Sequence, residues 1–593
     1  LALVLPGTCD DGDSVHHYLF ARYAFDHPGL FLDHWAKPLY VLVMAPFAQL
    51  GFVGVKLANV ALMTSAMWCT IRIGELMGLK YAWLAGVVLG TMPELLHVTL
   101  SGLTEPLFAA CLSLSVLWCF EQKYARAALL LSFLPFVRSE GLVVLGVVVP
   151  YFLLVGQWRV LPLLLIGHVV YGLIGWPVLG DPLWVFRKIP YATLNGSYGK
   201  GLWDHFFASA RHYWGLWQAL MIVTGVLMGA WRLAGYWRGR VSFPKADLWL
   251  IYGIFLAYFG AHVVFWGLGI FNSFGMTRVM VAIDPLAALI AVLGAEWVLN
   301  RISNKPLQLA GITVFSAACL ASMWDTPKFA SKFMPTPAQN AQFALADRYQ
   351  KMFEQQGFFL YADAVTTGYA FNYDWFGPKQ NFTDGIPADK PFDQPTAVVW
   401  DNWYSVVEKQ TTFDELQNDP RFKLIEVLRS QEDMPESVVA LFMDTAHAAP
   451  TPLLYFQSFE YTEGEHIDSD KGRFGKRSAQ IYAKHEYGPM VISLNRMSKL
   501  LGDSLLIQCD VMMADTSYWG ARMVVQYETP ERDMLSWEGY SFNKQALKPN
   551  EWYAFEMVVP ILKDKLQQST MTIYPWNPSE QKVWIDNLTV QYK

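Results

Sequence analysis

The sequence is poor in charge and in cysteine. Of its 593 residues, 16% are Asp, Glu, Lys or Arg, and the net charge is −6. No block of Lys or Arg is present, which excludes nucleic acid as the expected partner. The six cysteines contain no CxxC pair, so neither a zinc site nor a disulfide framework is predicted. The polar C-terminal part has no Gly-rich phosphate loop, so nucleotide binding is not expected.

Long apolar runs are abundant up to Trp324, and an ordinary polar composition follows. The apolar region 126–156 is interrupted by Arg138 and Glu140, which are costly in lipid. We therefore predict a hairpin of two shorter helices whose polar tip lies in protein or water. The short, Pro-interrupted run 38–52 predicts a juxtamembrane or re-entrant helix. Apolar stretches long enough to span a bilayer occur near 53–73, 81–98, 103–120, 160–179, 213–233, 247–268, 279–299 and 307–324.

Basic residues concentrate in alternate loops, and the positive-inside rule makes that side cytoplasmic. The other side then holds residues 7–37, the Arg138 tip and everything after Trp324. We expect an integral protein of a bacterial inner membrane with these parts outside the cytoplasm. Leu1–Pro6 is too short to span a bilayer, so we expect most of a first transmembrane helix to precede it. The cytoplasmic loops carry Arg72, Lys80, Lys123, Arg126, Arg159, Arg232, Arg238, Arg240, Lys245, Arg301 and Lys305.

The polar part divides into two predicted domains after a membrane domain at 1–324. In 325–450, four apolar runs alternate with polar helical stretches, which predicts a small α/β layer. In 451–593, many short strands are separated by turn residues, which predicts an antiparallel β-sandwich.

The predicted sandwich resembles jelly-roll carbohydrate-binding modules in three segments, namely "SFE" at 458–460, "GKRSAQI" at 475–481 and "VWIDNLTV" at 583–590. The resemblance implies a structural calcium at Glu460 and Asp586. The alternative is that these are two surface carboxylates at strand ends. Four tryptophans are candidates for stacking on sugars, with burial in the core as the alternative: Trp519, Trp537, Trp552 and Trp576.

Ionisable side chains are unusually dense in the first loop, around "DDGDS" at 10–14, which is followed by "KPLY" at 37–40. Two later segments share its side of the membrane, "SGLTEPLFA" at 101–109 and "TRVMVAIDPLAALIAV" at 277–292. In this order the motifs resemble the GT-C class of membrane glycosyltransferases, of the protein mannosyltransferase and aminoarabinose transferase type. "KPLY" has one proline where the family often has two, and the late span lacks the usual Arg-Tyr pair.

The resemblance implies transfer of a hexose or pentose from a polyprenyl-phosphate donor to a glycan, lipid or protein acceptor outside the cytoplasm. A carboxylate takes the acceptor proton, and cations stabilise the departing phosphate. The family's catalytic acid falls on Asp10, Asp11 or Asp13, of which we take Asp11 first. Glu105 would face the same cavity, unless it is only a satisfied helix-end carboxylate. The expected phosphate-binding residues are Arg278 first, then Lys37, Arg138, Arg187 and Lys188; Arg138 has pairing with Glu140 as its alternative role.

A divalent metal is a second expectation for the first loop, because Asp11 and Asp13 have the spacing of a metal-binding pair. Two other functions compete with transfer: a multi-pass transporter, which also places charges in the membrane, and a membrane-anchored glycan-binding protein. The spans show no internal repeat, which would have supported a transporter. A membrane anchor does not explain the acidic first loop.

Overall fold

The chain forms two compact units, Leu1–Thr336 and Pro337–Lys593, which are described separately. The predicted domain boundaries after residues 324 and 450 stay predictions. The computed structural model describes residues 1–190, 199–239, 244–324, 329–377, 392, 394–430, 437–449, 451–459, 464–473, 475–488, 492–496, 498, 500–517, 520–544 and 548–593.

The first unit is helical. Short 3₁₀ segments occur at Pro28–Leu32, Leu134–Phe136, Trp158–Leu165, Thr277–Ile283 and Ser331–Phe333, and a π-helical turn at Asp247–Gly253. Its α-helices, α1 to α16, are Asp13–Tyr23, Pro38–Ala48, Phe52–Leu76, Leu84–Gly90, Pro93–Thr99, Glu105–Phe120, Tyr124–Ser132, Gly141–Leu154, Ile166–Leu179, Trp184–Arg187, His205–Ala208, Ala210–Tyr213, Leu216–Trp237, Ile254–Leu268, Asp284–Leu299 and Lys305–Ala321.

Five helical stretches among the described residues are long and apolar enough to cross a membrane. Three of the eight predicted stretches are not among them: 103–120 and 307–324 form shorter helices, Glu105–Phe120 and Lys305–Ala321, and 81–98 breaks into α4 and α5. The break precedes Pro93, which has no N–H to continue the ladder and disfavours helical geometry in the residue before it. The predicted hairpin is confirmed, because α7 and α8 flank Arg138 and Glu140. The five stretches are Phe52–Leu76, Trp158–Leu179, Leu216–Trp237, Asp247–Leu268 and Thr277–Leu299.

The last of these stretches forms the centre of the unit. Of the 18 most apolar consecutive residues in this stretch, 94% are buried. This burial explains why the sequence is apolar on every face of the helix. Helix α13 packs closely on α15, where the backbone oxygen of Ile290 approaches Gly225 and that of Met221 approaches Gly294. Arg278 lies in the 3₁₀ segment Thr277–Ile283 at the start of this stretch. Its backbone is therefore continuous with the buried centre of the unit.

The second unit begins with a mixed four-stranded sheet in the order β1-β2-β4-β3. Strands β1 and β2 are parallel, and the other pairs are antiparallel. Leu345 and Phe353 of α17 pack on one face of this sheet. The strands are β1 Phe359–Ala362, β2 Thr396–Asp401, β3 Phe422–Ser430 and β4 Ser437–Asp444; α17 is Pro337–Gln356, α18 Val365–Ala370 and α19 Phe413–Asn418, with a π-helical turn at Tyr404–Glu408.

Two antiparallel sheets form the sandwich. One has the order β11-β10-β13-β8, and the other β12-β9-β14-β7-β6, with β5 also paired to β14. Apolar side chains of both sheets meet in one core, which includes Ile507 and Ile573. The strands are β5 Leu453–Gln457, β6 Ile467–Asp468, β7 Ser478–Ile481, β8 Ile492–Leu494, β9 Ser504–Met513, β10 Arg522–Glu528, β11 Met534–Ser541, β12 Trp552–Pro560, β13 Thr570–Trp576 and β14 Val583–Tyr592; Phe542–Lys544 is 3₁₀ and Lys563–Leu566 is α20.

Candidate active site

The acidic first loop is held by the start of α1. Oδ1 of Asp10 accepts hydrogen bonds from the backbone N–H groups of Gly12, at 3.2 Å, and Ser14, at 2.8 Å. Such a cap satisfies N–H groups that have no partner within the helix. Asp13 is the first residue of α1, where the helix dipole favours negative charge. The loop therefore presents its carboxylates from a defined position.

Arg278 joins carboxylates that are far apart in the sequence. Its Nη1 contacts Oδ2 of Asp10, and its Nη2 contacts Oδ2 of Asp13. Its Nε lies 3.9 Å from Oε1 of Glu105, which is buried. The guanidinium side chain is only 13% exposed, so these charges interact in a medium that screens them poorly. The structure thus brings together four residues that the sequence predicted for the site.

Arg138 forms a second ion cluster beside the first. Its Nη1 lies 2.7 Å from Oε1 of Glu105 and 3.1 Å from Oγ1 of Thr104, to which it donates. Its Nη2 donates to Oε1 of Glu140 at 2.7 Å. The same Glu140 oxygen lies 3.7 Å from Nε2 of His262. Arg138 therefore pairs with Glu105 as well as with the expected Glu140.

Lys37 differs from both arginines. Its Nζ donates to Oγ of Ser139 at 2.9 Å, and no carboxylate among the described residues lies within ion-pair distance of it. Its backbone has a φ of 70°, which is rare for a residue with a side chain. This conformation immediately precedes α2, whose first residue is Pro38.

These groups share one cavity of about 520 Å³. Asp13, Glu105, Glu140 and the three cations form a polar wall, and most of the remaining lining is aromatic or aliphatic. A cavity of this size and mixed lining is typical of small-molecule sites. The lining includes Asp13, His17, Trp35, Lys37, Arg138 and Arg278 on the polar side and Leu142, Val143, Phe271 and Phe274 on the apolar side.

Four predicted site residues do not line this cavity: Asp10, Asp11, Arg187 and Lys188. Oδ2 of Asp11 accepts a hydrogen bond from Oγ1 of Thr336 at 3.4 Å. The side chain of Arg187 is 67% exposed and lies 3.3 Å from Asp181. Lys188 follows the same short helix and is also absent from the lining.

The two carboxylates on Arg278 have opposite pKa shifts. Burial raises the pKa of Asp10 to about 6, although contact with Arg278 opposes the change. Burial also acts to raise the pKa of Asp13, but Arg278, His17 and His16 together more than offset it, and the result lies below the usual range. For Lys37, burial lowers the pKa to about 8, with Glu140 opposing the change. Pairs of groups whose pKa values are pushed apart are typical of acid–base sites.

The predicted metal sites stay predictions. Within the described parts of the chain, no three His, Cys, Asp or Glu side chains come together in a way that could hold a metal. Asp13 already contacts Arg278, and Asp11 accepts from Thr336. A divalent ion between these two carboxylates would have to displace the guanidinium, so the residues do not fit a metal in this arrangement.

The predicted calcium pair is only partly described. Glu460 lies outside the described residues. Asp586 is buried, and its Oδ2 accepts from the backbone N–H of Arg473 at 2.8 Å. Its Oδ1 accepts from the backbone N–H of Asn587 at 2.8 Å.

Sequence reasoning missed several residues of the cavity, including His17, Trp35 and His262. For His17 a signal was present, because it follows Asp13 by four residues and so lies on the same helix face. For His262 there was none, because a single histidine in an apolar span is most often a core residue.

Comparison with known proteins finds a similar solved structure. No family model and no curated protein matches the chain. ArnT from Cupriavidus metallidurans, solved with bound undecaprenyl phosphate, aligns over 76% of this chain and 96% of its own, with 12% identity and a TM-score of 0.50. The chain has the fold of ArnT. The predicted class, a GT-C-like membrane domain followed by a β-sheet region, is therefore confirmed.

Two other structures align less well. Arabinosyltransferase EmbB from Mycobacterium smegmatis covers 99% of this chain and 63% of its own, with 12% identity and a TM-score of 0.33. The CBM22-1 xylan-binding domain of Paenibacillus barcinonensis Xyn10C covers 24% of this chain and 97% of its own, with 14% identity and a TM-score of 0.18. TM-scores this low carry no conclusion, and the identity to ArnT supports a shared fold alone.

Proposed function

We propose that this protein is an integral membrane glycosyltransferase that moves a sugar from a polyprenyl-phosphate-linked donor to an acceptor. One observation carries the proposal: a single cavity combines three carboxylates, three cations and an apolar wall. A lipid-linked sugar phosphate needs these three kinds of contact. The undecaprenyl phosphate bound to ArnT supports a lipid phosphate as the donor's carrier.

Asp13 is the proposed general base. In transfer, an acceptor hydroxyl oxygen forms a bond to the anomeric carbon, and the bond from that carbon to the phosphate oxygen breaks. Asp13 takes the hydroxyl proton, and polyprenyl phosphate leaves with the bonding electrons. A lowered pKa keeps Asp13 ionised and ready at neutral pH. Positioned bases typically contribute about 10²- to 10⁴-fold in rate.

Lys37 is the proposed first ligand of the donor phosphate. Both arginines of the cavity are already paired with carboxylates, and Lys37 donates to a serine hydroxyl instead. Phosphate at Lys37 therefore requires no ion pair to break. Arg278 can add a second contact as negative charge develops on the leaving phosphate, because it needs to release only one of its partners.

A transfer assay tests this function. The full chain in lipid nanodiscs is given a panel of undecaprenyl-phosphate-linked pentoses and hexoses together with soluble oligosaccharides as acceptors, and release of undecaprenyl phosphate is measured. We expect release with at least one donor, and a loss of roughly 10²-fold or more in Asp13→Asn. The matched control is Asp26→Asn, an exposed carboxylate of the same stretch. Full activity in the Asp13 variant, or no release with any donor, contradicts the proposal.

A groove on the sandwich supports a glycan as the acceptor. It lies on the β11-β10-β13-β8 sheet, where the rings of Trp537 and Trp576 are perpendicular with centroids 5.7 Å apart. The hydroxyl of Tyr574 donates to Oε1 of Gln526 at 2.6 Å in the same groove. Exposed aromatic faces beside hydrogen-bonding groups suit sugar rings. Trp552 does not line the groove, and Trp519 lies outside the described residues.

The groove is tested in the whole chain. Trp537→Ala removes an aromatic face at an edge strand, so it should weaken binding of soluble oligosaccharides by about 5-fold or more and leave the melting temperature nearly unchanged. Glycan-array binding and calorimetry measure it. Trp552→Ala, outside the groove, is the control. Equal binding by the Trp537 variant and wild type assigns the sandwich an architectural role.

The proposed location is a bacterial inner membrane, and the basic residues in alternate loops support an orientation with the cavity and the tail outside the cytoplasm. A multi-pass transporter and a membrane-anchored glycan-binding protein are not favoured. Neither requires carboxylates held beside cations in one cavity with an apolar wall.

A further inference from the structure

His17 is placed on the wall of the cavity by α1. It lies one helical turn after Asp13, so both side chains face the same way. Both line the cavity, and His17 is only 8% exposed. The proposed mechanism gives His17 no role.

The imidazole of His17 is fixed by aromatic neighbours. Its ring stacks on Trp35 with centroids 4.8 Å apart and an interplanar angle of 18°. The ring of Tyr40 lies 5.2 Å away at 60°. These contacts hold the ring plane but satisfy neither nitrogen.

Nδ1 of His17 is buried and has no hydrogen-bond partner in the described parts of the chain. Buried polar atoms of native proteins are almost always hydrogen-bonded, so such an atom beside a cavity indicates a missing ligand. Burial lowers the pKa of His17 to about 3, so the ring is neutral at working pH. A neutral imidazole has one donor and one acceptor nitrogen, which matches a hydroxyl better than a phosphate.

We infer that His17 hydrogen-bonds a hydroxyl of the donor's sugar ring, and that Trp35 forms the apolar side of the same subsite. The inference rests on the proposed function. The donor sugar is bonded directly to the phosphate, so it must lie in the same cavity as Lys37, which His17 and Trp35 also line. His17 is therefore a residue that selects sugar-loaded lipid over bare lipid.

The test compares binding of bare undecaprenyl phosphate with binding of the sugar-loaded lipid that wild type binds best. The variants His17→Asn and His17→Leu are nearly equal in size, and both remove the ring. Only Asn keeps a polar atom near the position of Nδ1. We expect Leu to weaken binding of the loaded lipid by about 5- to 10-fold, as expected for one neutral hydrogen bond, and Asn to bind it more tightly than Leu.

Bare lipid should bind equally to both variants and to wild type. His16→Phe, on the same helix but outside the cavity lining, is the matched control. His17→Phe keeps the stacking ring and serves as the comparison if both smaller variants unfold; it should lose affinity for loaded lipid alone.

Equal binding of loaded lipid by the Asn and Leu variants overturns the inference, as does equal loss for bare and loaded lipid. Wild type that binds both lipids with one affinity also overturns it, while leaving the donor site intact. Wild type that binds neither lipid overturns the proposed function itself.

Discussion

At the scale of single residues, the site is defined by which charges already have partners. Arg278 lies between Asp10 and Asp13, and Arg138 lies between Glu105 and Glu140. Each arginine offsets part of the cost of placing carboxylates in a poorly solvated site. Lys37 alone among the three cavity cations has a pKa lowered toward neutrality, to about 8, through burial. Its charge is therefore the one that pH can remove.

The pH dependence of kcat/KM should show the ionisation of Lys37. In the proposed mechanism its protonated form binds phosphate, so kcat/KM for the donor should be high below pH 8 and should fall as pH rises through about 8. In Lys37→Arg the side chain stays charged throughout this range, so the alkaline fall should disappear. An unchanged alkaline fall in the arginine variant would assign it to another group.

Arg278→Lys tests the shared guanidinium. A lysine keeps one positive charge but cannot contact two carboxylates with a fixed fork. We expect turnover to fall by about 10-fold or more, while affinity for bare undecaprenyl phosphate changes little because Lys37 remains. Single-turnover rates and lipid binding separate the two effects. A loss confined to lipid binding would make Arg278 the principal phosphate ligand, as the sequence motif suggests.

At the scale of elements, the segment "SGLTEP" at 101–106 fixes the position of the start of α1. The backbone N–H of Gly102 donates to Oγ of Ser14 at 2.7 Å, and the hydroxyl of Tyr40 donates to the carbonyl of Gly102. A Cβ on Gly102 would overlap the backbone oxygen of Ser14. The motif residues at 10–14, 37–40 and 101–105 thus form one contact set, which explains why the three segments occur together.

Gly102→Ala should therefore displace the start of α1. We expect a loss of stability of about 1–3 kcal/mol, as for overpacking elsewhere, together with reduced turnover. Thermal unfolding and the transfer assay measure these. Gly29→Ala is the control, because nothing lies within 4 Å of the added Cβ. Equal behaviour of the two variants would mean that the segment does not position α1.

Sequence patterns predicted the elements better than the contacts. The four strands of the mixed sheet and most sandwich strands follow from short apolar runs, but β6, β8 and β11 were missed; every residue of β11 is at least partly exposed, so it has no apolar run. The interrupted apolar run 126–156 predicted its hairpin. The pairing of Arg278 with Asp10 spans 268 residues, so no local pattern could select Asp10 or Asp13 over Asp11. That choice depends on which carboxylate α1 turns toward the cavity.

At the scale of the whole molecule, charge in the loops predicts orientation. Residues Arg301 and Lys305 belong to a loop that the positive-inside rule places in the cytoplasm. Reporter fusions after residue 303 and after Lys593 should therefore give opposite signals. Matching signals would contradict the proposed orientation. They would place the tail on the opposite side of the membrane from Asp13.

The central claim is that the cavity binds the phosphate of a polyprenyl carrier. An experimental structure of the full chain with undecaprenyl phosphate tests it most directly. We predict phosphate density within hydrogen-bond distance of Nζ of Lys37, with the chain leaving along Leu142, Val143 and the neighbouring phenylalanines. Lipid bound only elsewhere on the protein, with the cavity closed to it, would contradict the account.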